Sequence, residues 1–251
     1  MNKIDYTANF INRLKEHTGN HIIDIKNIRT FFRGAHFHDS PILTVNGHLF
    51  KGQLFRAINL ESFEFINCTF EHCSFPEVVF DHCIFTNVKF IDCSFTNSKF
   101  LDCLFEQTYI IGGQINDVLF WDCGFSQSLF ENCSDNSLIN FDGGSYNDLS
   151  FNNCKLYNLR LSQFPEKTRT NLNFNETTLE GCSFIQVNFS NSAFNKCTLN
   201  STKFNNCKLT LITFTECKAQ DEQYCSADFH TILDSDISPD SLSNNFGINE
   251  P

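Results

Sequence analysis

The chain has 251 residues, 18 basic and 29 acidic side chains, and a formal net charge of −11. No apolar run approaches the ~20 residues that a bilayer-spanning helix needs, which excludes that class. The acidic balance argues against direct nucleic-acid binding and favours a basic protein surface as partner.

The first residues lack the apolar core of a signal peptide. The expectation is therefore a soluble, cytoplasmic protein, with an effector secreted without a cleaved signal as the alternative. Residues 4–17 read as an amphipathic helix, with Tyr6, Phe10 and Leu14 on one face and Gly19-Asn20 as its stop. Its task would be to cover the exposed strand edges of whatever follows. Residues 21–34 are rich in Ile and Phe without a clean period. Ile42 to Phe50 reads as a hairpin around Asn46-Gly47. His36, His38, Asp39 and His48 have no second ligand pair at a fitting spacing, so no metal and no cofactor are expected.

From Phe55 to Phe105 every fifth residue is Phe, with Leu60 the one exception. Phe makes up 30 of 251 residues, so composition alone cannot produce that column. Two places earlier runs a smaller column: Cys68, Cys73, Val78, Cys83, Val88, Cys93, Ser98, Cys103. A five-residue period suits neither regular element. On a helix, residues five apart drift by about 140°, and on a strand they alternate faces. The large residue is buried every time only if the chain turns once per pentad, which describes an all-β solenoid.

The unit, as in Asp92-Cys93-Ser94-Phe95 and Asp102-Cys103-Leu104-Phe105, resembles the pentapeptide-repeat family, in a Phe/Cys-rich variant. That resemblance implies a right-handed quadrilateral β-helix with four pentads, about 20 residues, per coil. The column runs on to Phe130, jumps by 11 to Phe141, continues to Leu161, and resumes from Phe174 to Phe214. This divides the chain into an N-terminal cap (1–50, helix plus hairpin), a repeat body (51–232) and a C-terminal cap (233–251). The body is interrupted at 131–140 and 162–173, and Ser238-Pro239 opens a short final helix.

Thirteen cysteines suggest a disulfide framework in a small secreted domain. Here twelve occupy the small inward column and only Cys225 lies off register, so they are expected to be reduced packing residues.

Function is left to the outward positions. The residue two past each centre is polar almost throughout, Asp92 among them, and at about 20 residues per coil Asp102 would stack on Asp122, with Asp117 and Glu77 on the next side. Leu101, Leu119 and Trp121 would form an exposed apolar patch beside that ladder, Trp being a natural interface anchor. Residues 61–150 hold fourteen acidic and two basic side chains, a balance of −12. The polar loop 162–173 carries Lys167 and Arg169, and loops leaving a rigid scaffold often bind.

The resemblance extends to the quinolone-resistance members of the family, where a loop of this character contributes to engaging DNA gyrase. It also implies a homodimer through the C-terminal end. Two functions follow. One is an acidic DNA mimic that binds a type II topoisomerase or another DNA-binding protein. The other is an interaction scaffold or exported effector that uses the apolar patch. No enzyme motif is present, and convex acidic faces offer no cleft in which a carboxylate becomes a general acid.

Overall fold

The computed structural model describes residues 30–31, 42–135, 137–163, 170–189, 191–220, 223–225 and 228–233. The described residues contain strands and no helix. Each pentad forms a strand of about three residues followed by a corner. Four of them, Lys89–Ile91, Ser94–Thr96, Lys99–Leu101 and Leu104–Glu106, make one coil. Each strand pairs in parallel with its counterpart 20 residues on, as in Phe90↔Ile110, Phe95↔Ile115, Phe100↔Phe120 and Phe105↔Phe125. The result is a four-sided parallel solenoid of about eight turns. We number its sides by their core residues: the first holds Phe90, the second Phe95, the third Phe100 and the fourth Phe105.

The centre of every regular pentad is buried, and within each side the rings stack face to face. Phe80–Phe100 and Phe100–Phe120 centroids lie 4.7 and 4.8 Å apart, with planes within 9° of parallel. Around the coil the rings meet edge to face, as for Phe100–Phe105 at 5.5 Å. Each ring therefore has partners in two directions, and burial of each contributes on the order of 2 kcal/mol.

The smaller column does more than fill space. Cys103 Sγ donates to the Phe80 carbonyl at 3.4 Å and Cys123 Sγ to the Phe100 carbonyl at 3.3 Å. Thr108, Ser128 and Thr202 hydroxyls make the same bond to Phe85, Phe105 and Leu179. The column thus takes small side chains, and all but the valines among those named (Val78, Val88) donate to the coil below. Cysteines 68 to 207 of this column are buried free thiols and Cys217 is partly buried. Burial pushes the Cys103 thiol well above its usual range.

At the corners the backbone turns through the left-handed region. Asn67, His72, Glu77, His82, Asp92, Asp102, Asp117 and Asp122 all have φ between 46° and 58°. Asn and Asp tolerate that conformation better than most residues, which gives them a structural reason to stand there.

The expected hairpin at 42–50 does not form. Ile42–Asn46 pairs in parallel with Phe63–Ile66, and Leu49–Lys51 with Thr69–Glu71. These strands are two consecutive sides of the first coil, and Gly47 (φ 69°) is the corner between them. An Asn-Gly pair suits a left-handed corner as well as a hairpin turn, and the local sequence cannot choose between them. Thr30–Phe31 adds an antiparallel edge to this coil. His48 is half-buried and lies 5.0 Å from the Phe50 ring, and burial lowers its pKa. The remaining ligand candidates His36, His38 and Asp39 lie outside the described residues, as do the helices expected at 4–17 and after Ser238.

The interruption at 131–140 shifts the pairing by one residue, so that Phe120 faces Phe141 and Phe125 faces Tyr146, 21 residues on. Beyond the second interruption the 20-residue register returns with Phe174↔Phe194↔Phe214. The backbone pairing continues past the last clear pentad, through Phe204↔Tyr224 and Leu209↔Phe229.

Candidate functional site: a carboxylate-lined apolar edge

The inner column is spent on packing, which leaves the corners and outward strand positions for recognition. On the third side, the outward residue after each centre runs Glu61, Asp81, Leu101, Trp121, Asp142 in one paired ladder. The next residue is the corner between the third and fourth sides, where His82, Asp102 and Asp122 follow one another at successive levels. The His82 N–H bonds the Leu101 carbonyl and the Asp102 N–H the Trp121 carbonyl.

Leu101 and Trp121 are therefore direct neighbours, as the spacing implies. Trp121 is 43% exposed, and Leu101 and Leu119 are half-buried beside it. Leu104, on the fourth-side strand, and Leu138, just before the strand that carries Asp142, add exposed apolar surface on the two flanks. Leu104 leans over the next level, where a Cβ on Gly124 would lie 2.9 Å from Leu104 Cδ2 and would have to displace it. Five carboxylates line this edge (Glu61, Asp81, Asp102, Asp122, Asp142), and Lys99 is the one basic residue of that side from Asn59 to Asp142.

The other expected residues lie elsewhere. Asp117 occupies the corner between the second and third sides, two levels from Glu77 with Asn97 between them. Its N–H is bonded by Ser137 Oγ at 3.0 Å. Asp92 sits at the corner between the first and second sides, 3.8 Å from His72 Nδ1, on the far side of the coil from Asp102. It overhangs Gly112, where a Cβ would come within 2.3 Å of Asp92 Oδ1. Lys167 and Arg169 lie outside the described residues. Asp81, His82, Leu104, Leu138 and Asp142 were not among the sequence candidates. The 20-residue shift that joined Leu101 to Trp121 also reaches Asp81, but Leu138 and Asp142 need the register slip to be placed.

Among the described residues one mixed cluster brings metal-ligating atoms together, with Asp81, His82 and Asp102 offering donors within 4.8 Å of one another. His82 Nδ1 is already engaged by Asp81 Oδ1 at 2.6 Å, a contact that a cation would have to displace.

With the repeat geometry in place, the relationships of the chain can be stated. Residues 58–138 match the model of a pentapeptide repeat region and residues 173–210 that of pentapeptide repeats in eight copies. The chain is a pentapeptide-repeat protein. No curated protein matches it. Among solved structures, HetL, involved in heterocyst differentiation regulation in the cyanobacterium Nostoc sp. strain PCC 7120, is similar at 7% identity. It covers 78% of this chain and 90% of its own, with a TM-score of 0.35. Full-length QnrB1, a plasmid-mediated fluoroquinolone resistance protein, is similar at 15% identity over 82% of this chain and 100% of its own, TM-score 0.28. The A-module of the mannuronan C-5 epimerase AlgE4 of Azotobacter vinelandii is similar at 7% identity over 75% and 91%, TM-score 0.25. A pentapeptide-repeat rod with this surface is consistent with a non-catalytic protein-interaction role.

Proposed function

We propose that the protein is a non-catalytic binding protein, acting in the cytoplasm, that grips a basic partner surface through the edge between its third and fourth sides. The observation that carries this reading is Trp121, 43% exposed and paired with Leu101 inside a line of carboxylates. An apolar anchor surrounded by charge has the make-up of an interface centre with its rim. The partner we propose is a DNA-binding protein, with a type II topoisomerase such as DNA gyrase the first to test. Supporting this, the carboxylates recur at about one per ~4.8 Å strand spacing, against ~3.4 Å of axis per phosphate along one DNA strand.

The test is a supercoiling assay with purified gyrase, with and without a quinolone. The expected result is altered supercoiling or altered quinolone sensitivity at micromolar protein, lost on charge reversal at Asp102 and Asp122. No effect at that concentration rules out the topoisomerase. The second reading, a scaffold or exported effector, is favoured by the exposure of Leu104 and Leu138 beside Trp121. It predicts that Trp121→Ala removes partner capture by about 2–4 kcal/mol while charge reversal mainly slows association.

A further inference from the structure

On the second side, one position of the core column is filled by a carboxyl group. Asp135 stands level with Ile115 below and Leu156 above, where every regular coil has Phe, Ile or Leu, and it is 1% exposed. Its Oδ1 accepts the Tyr157 N–H at 2.6 Å, while Oδ2 is buried without a hydrogen-bond partner. The sheet thins at the same place. Strands on this side pair over three residues from Ser74 to Asn116 and again from Lys155 to Gln220, but Gln114, Ser134 and Lys155 are joined only by isolated bridges, as Leu54 and Ser74 are in the first coil. Regular pairing stops below and resumes above Asp135, and single backbone bonds carry the side across: the Ile115 N–H to the Ser134 carbonyl and the Asp135 N–H to the Lys155 carbonyl, both at 3.1 Å.

We propose that Asp135 is a protonation-controlled joint in the rod: neutral, it lets the second side close across the register slip; ionised, it opens the segment 131–142. A buried charge with an unpartnered oxygen costs far more than the neutral acid, so ionisation must be accompanied by exposure. Burial raises the Asp135 pKa from 3.8 to about 7, only partly offset by the Tyr157 N–H. The ionisable groups around it give its charge no relief. Glu131 and Cys133 share its coil, Asp117 follows Ile115 below, and Cys182 above is pushed up by burial first and by the Asp135 charge after it. Lys155 and Tyr157 flank Leu156 on the coil above, and no ion pair joins Lys155 to Asp135 among the described residues.

The sign follows from linkage. The closed segment holds a proton that the open one releases, so opening is favoured as pH rises from about 4 to about 7 and levels off above. The consequence reaches the apolar edge. Ser137 Oγ bonds the Asp117 N–H and the Leu138 carbonyl bonds the Val118 N–H at 3.2 Å, so opening frees the corner that carries Leu138.

Hydrogen exchange of the full chain between pH 5 and 8, corrected for intrinsic rates, tests this. The opening constant of amides in 131–142 should rise by up to about tenfold per pH unit up to pH 7. In Asp135→Asn, which keeps the acceptor for Tyr157, it should be flat. An equal slope in the variant, or none in the wild type, overturns the proposal. Should the variant fail to fold, the infrared band of a protonated carboxyl in the wild type decides: present at pH 6 and lost by pH 8 if the proposal holds, absent at both if it fails.

Discussion

The coils from Phe50 to Phe130 and the interrupted stretch from Cys133 to Leu172 share one architecture and differ in how well it is satisfied. In the regular coils each centre is apolar, each small residue is either a donor to the carbonyl below or, like the valines, a group with nothing to satisfy, and each corner is left-handed. Among the described residues, Asp135 Oδ2, Asn140 Oδ1, Gln163 Nε2 and Thr170 Oγ1 are buried without a hydrogen-bond partner, and all four lie in the interrupted stretch. The difference teaches that the pentad count itself does the hydrogen-bond accounting. While five residues make one side, polar groups meet carbonyls automatically. Where the count breaks, side chains such as Asp135 and Gln163 must patch the ladder and leave an atom over, the Gln163 Oε1 accepting the Asn188 N–H while its Nε2 has no partner.

The comparison breaks most visibly at a ring in the middle of a stack. Phe100→Ala removes a ring stacked on Phe80 and Phe120 at once and should destabilise by about 3–5 kcal/mol in chemical denaturation. Leu161→Ala, in the interrupted stretch, should cost less, about 2–4 kcal/mol. A reversed order would mean that the regular stack is not the stiffer region.

At the corners, Asp102→Val should cost about 1–2 kcal/mol because a β-branched residue is strained at φ 51°, whereas Asp102→Asn should leave stability unchanged. If Asn also weakens the fold, the carboxylate has a structural role and its ladder is no evidence for a partner. The smallest effect sharpens the comparison from the other side. Thr170→Val removes an orphaned buried hydroxyl at constant shape and should stabilise by about 1 kcal/mol, a shift of roughly 2–4 °C in Tm. The matching change Thr202→Val, which breaks a bond to the Leu179 carbonyl, should destabilise.

Much of this was legible from spacing. The column from Phe55 to Phe130 identifies the inward residues, and the jump from Phe130 to Phe141 announces the one-residue slip. The Asn46-Gly47 pair misled, since a turn signal specifies backbone conformation and not which strands it joins. The patch was half visible: Leu101 and Trp121 follow from a 20-residue shift, while Leu138 and Asp142 depend on how the slipped coil closes.

The five-residue rhythm of large and small side chains determined, without coordinates, that the chain coils into a rod with its aromatic residues inside. Burial is a local demand, and a strict period makes the same demand at every turn. What only the tertiary structure decided is the set of residues that meet across levels: Asp81 with His82 and Asp102, Leu138 at the flank of Trp121's edge, and Asp135 in an apolar column with one oxygen unanswered. Those meetings depend on the registry between coils, which one extra residue changes for everything above it.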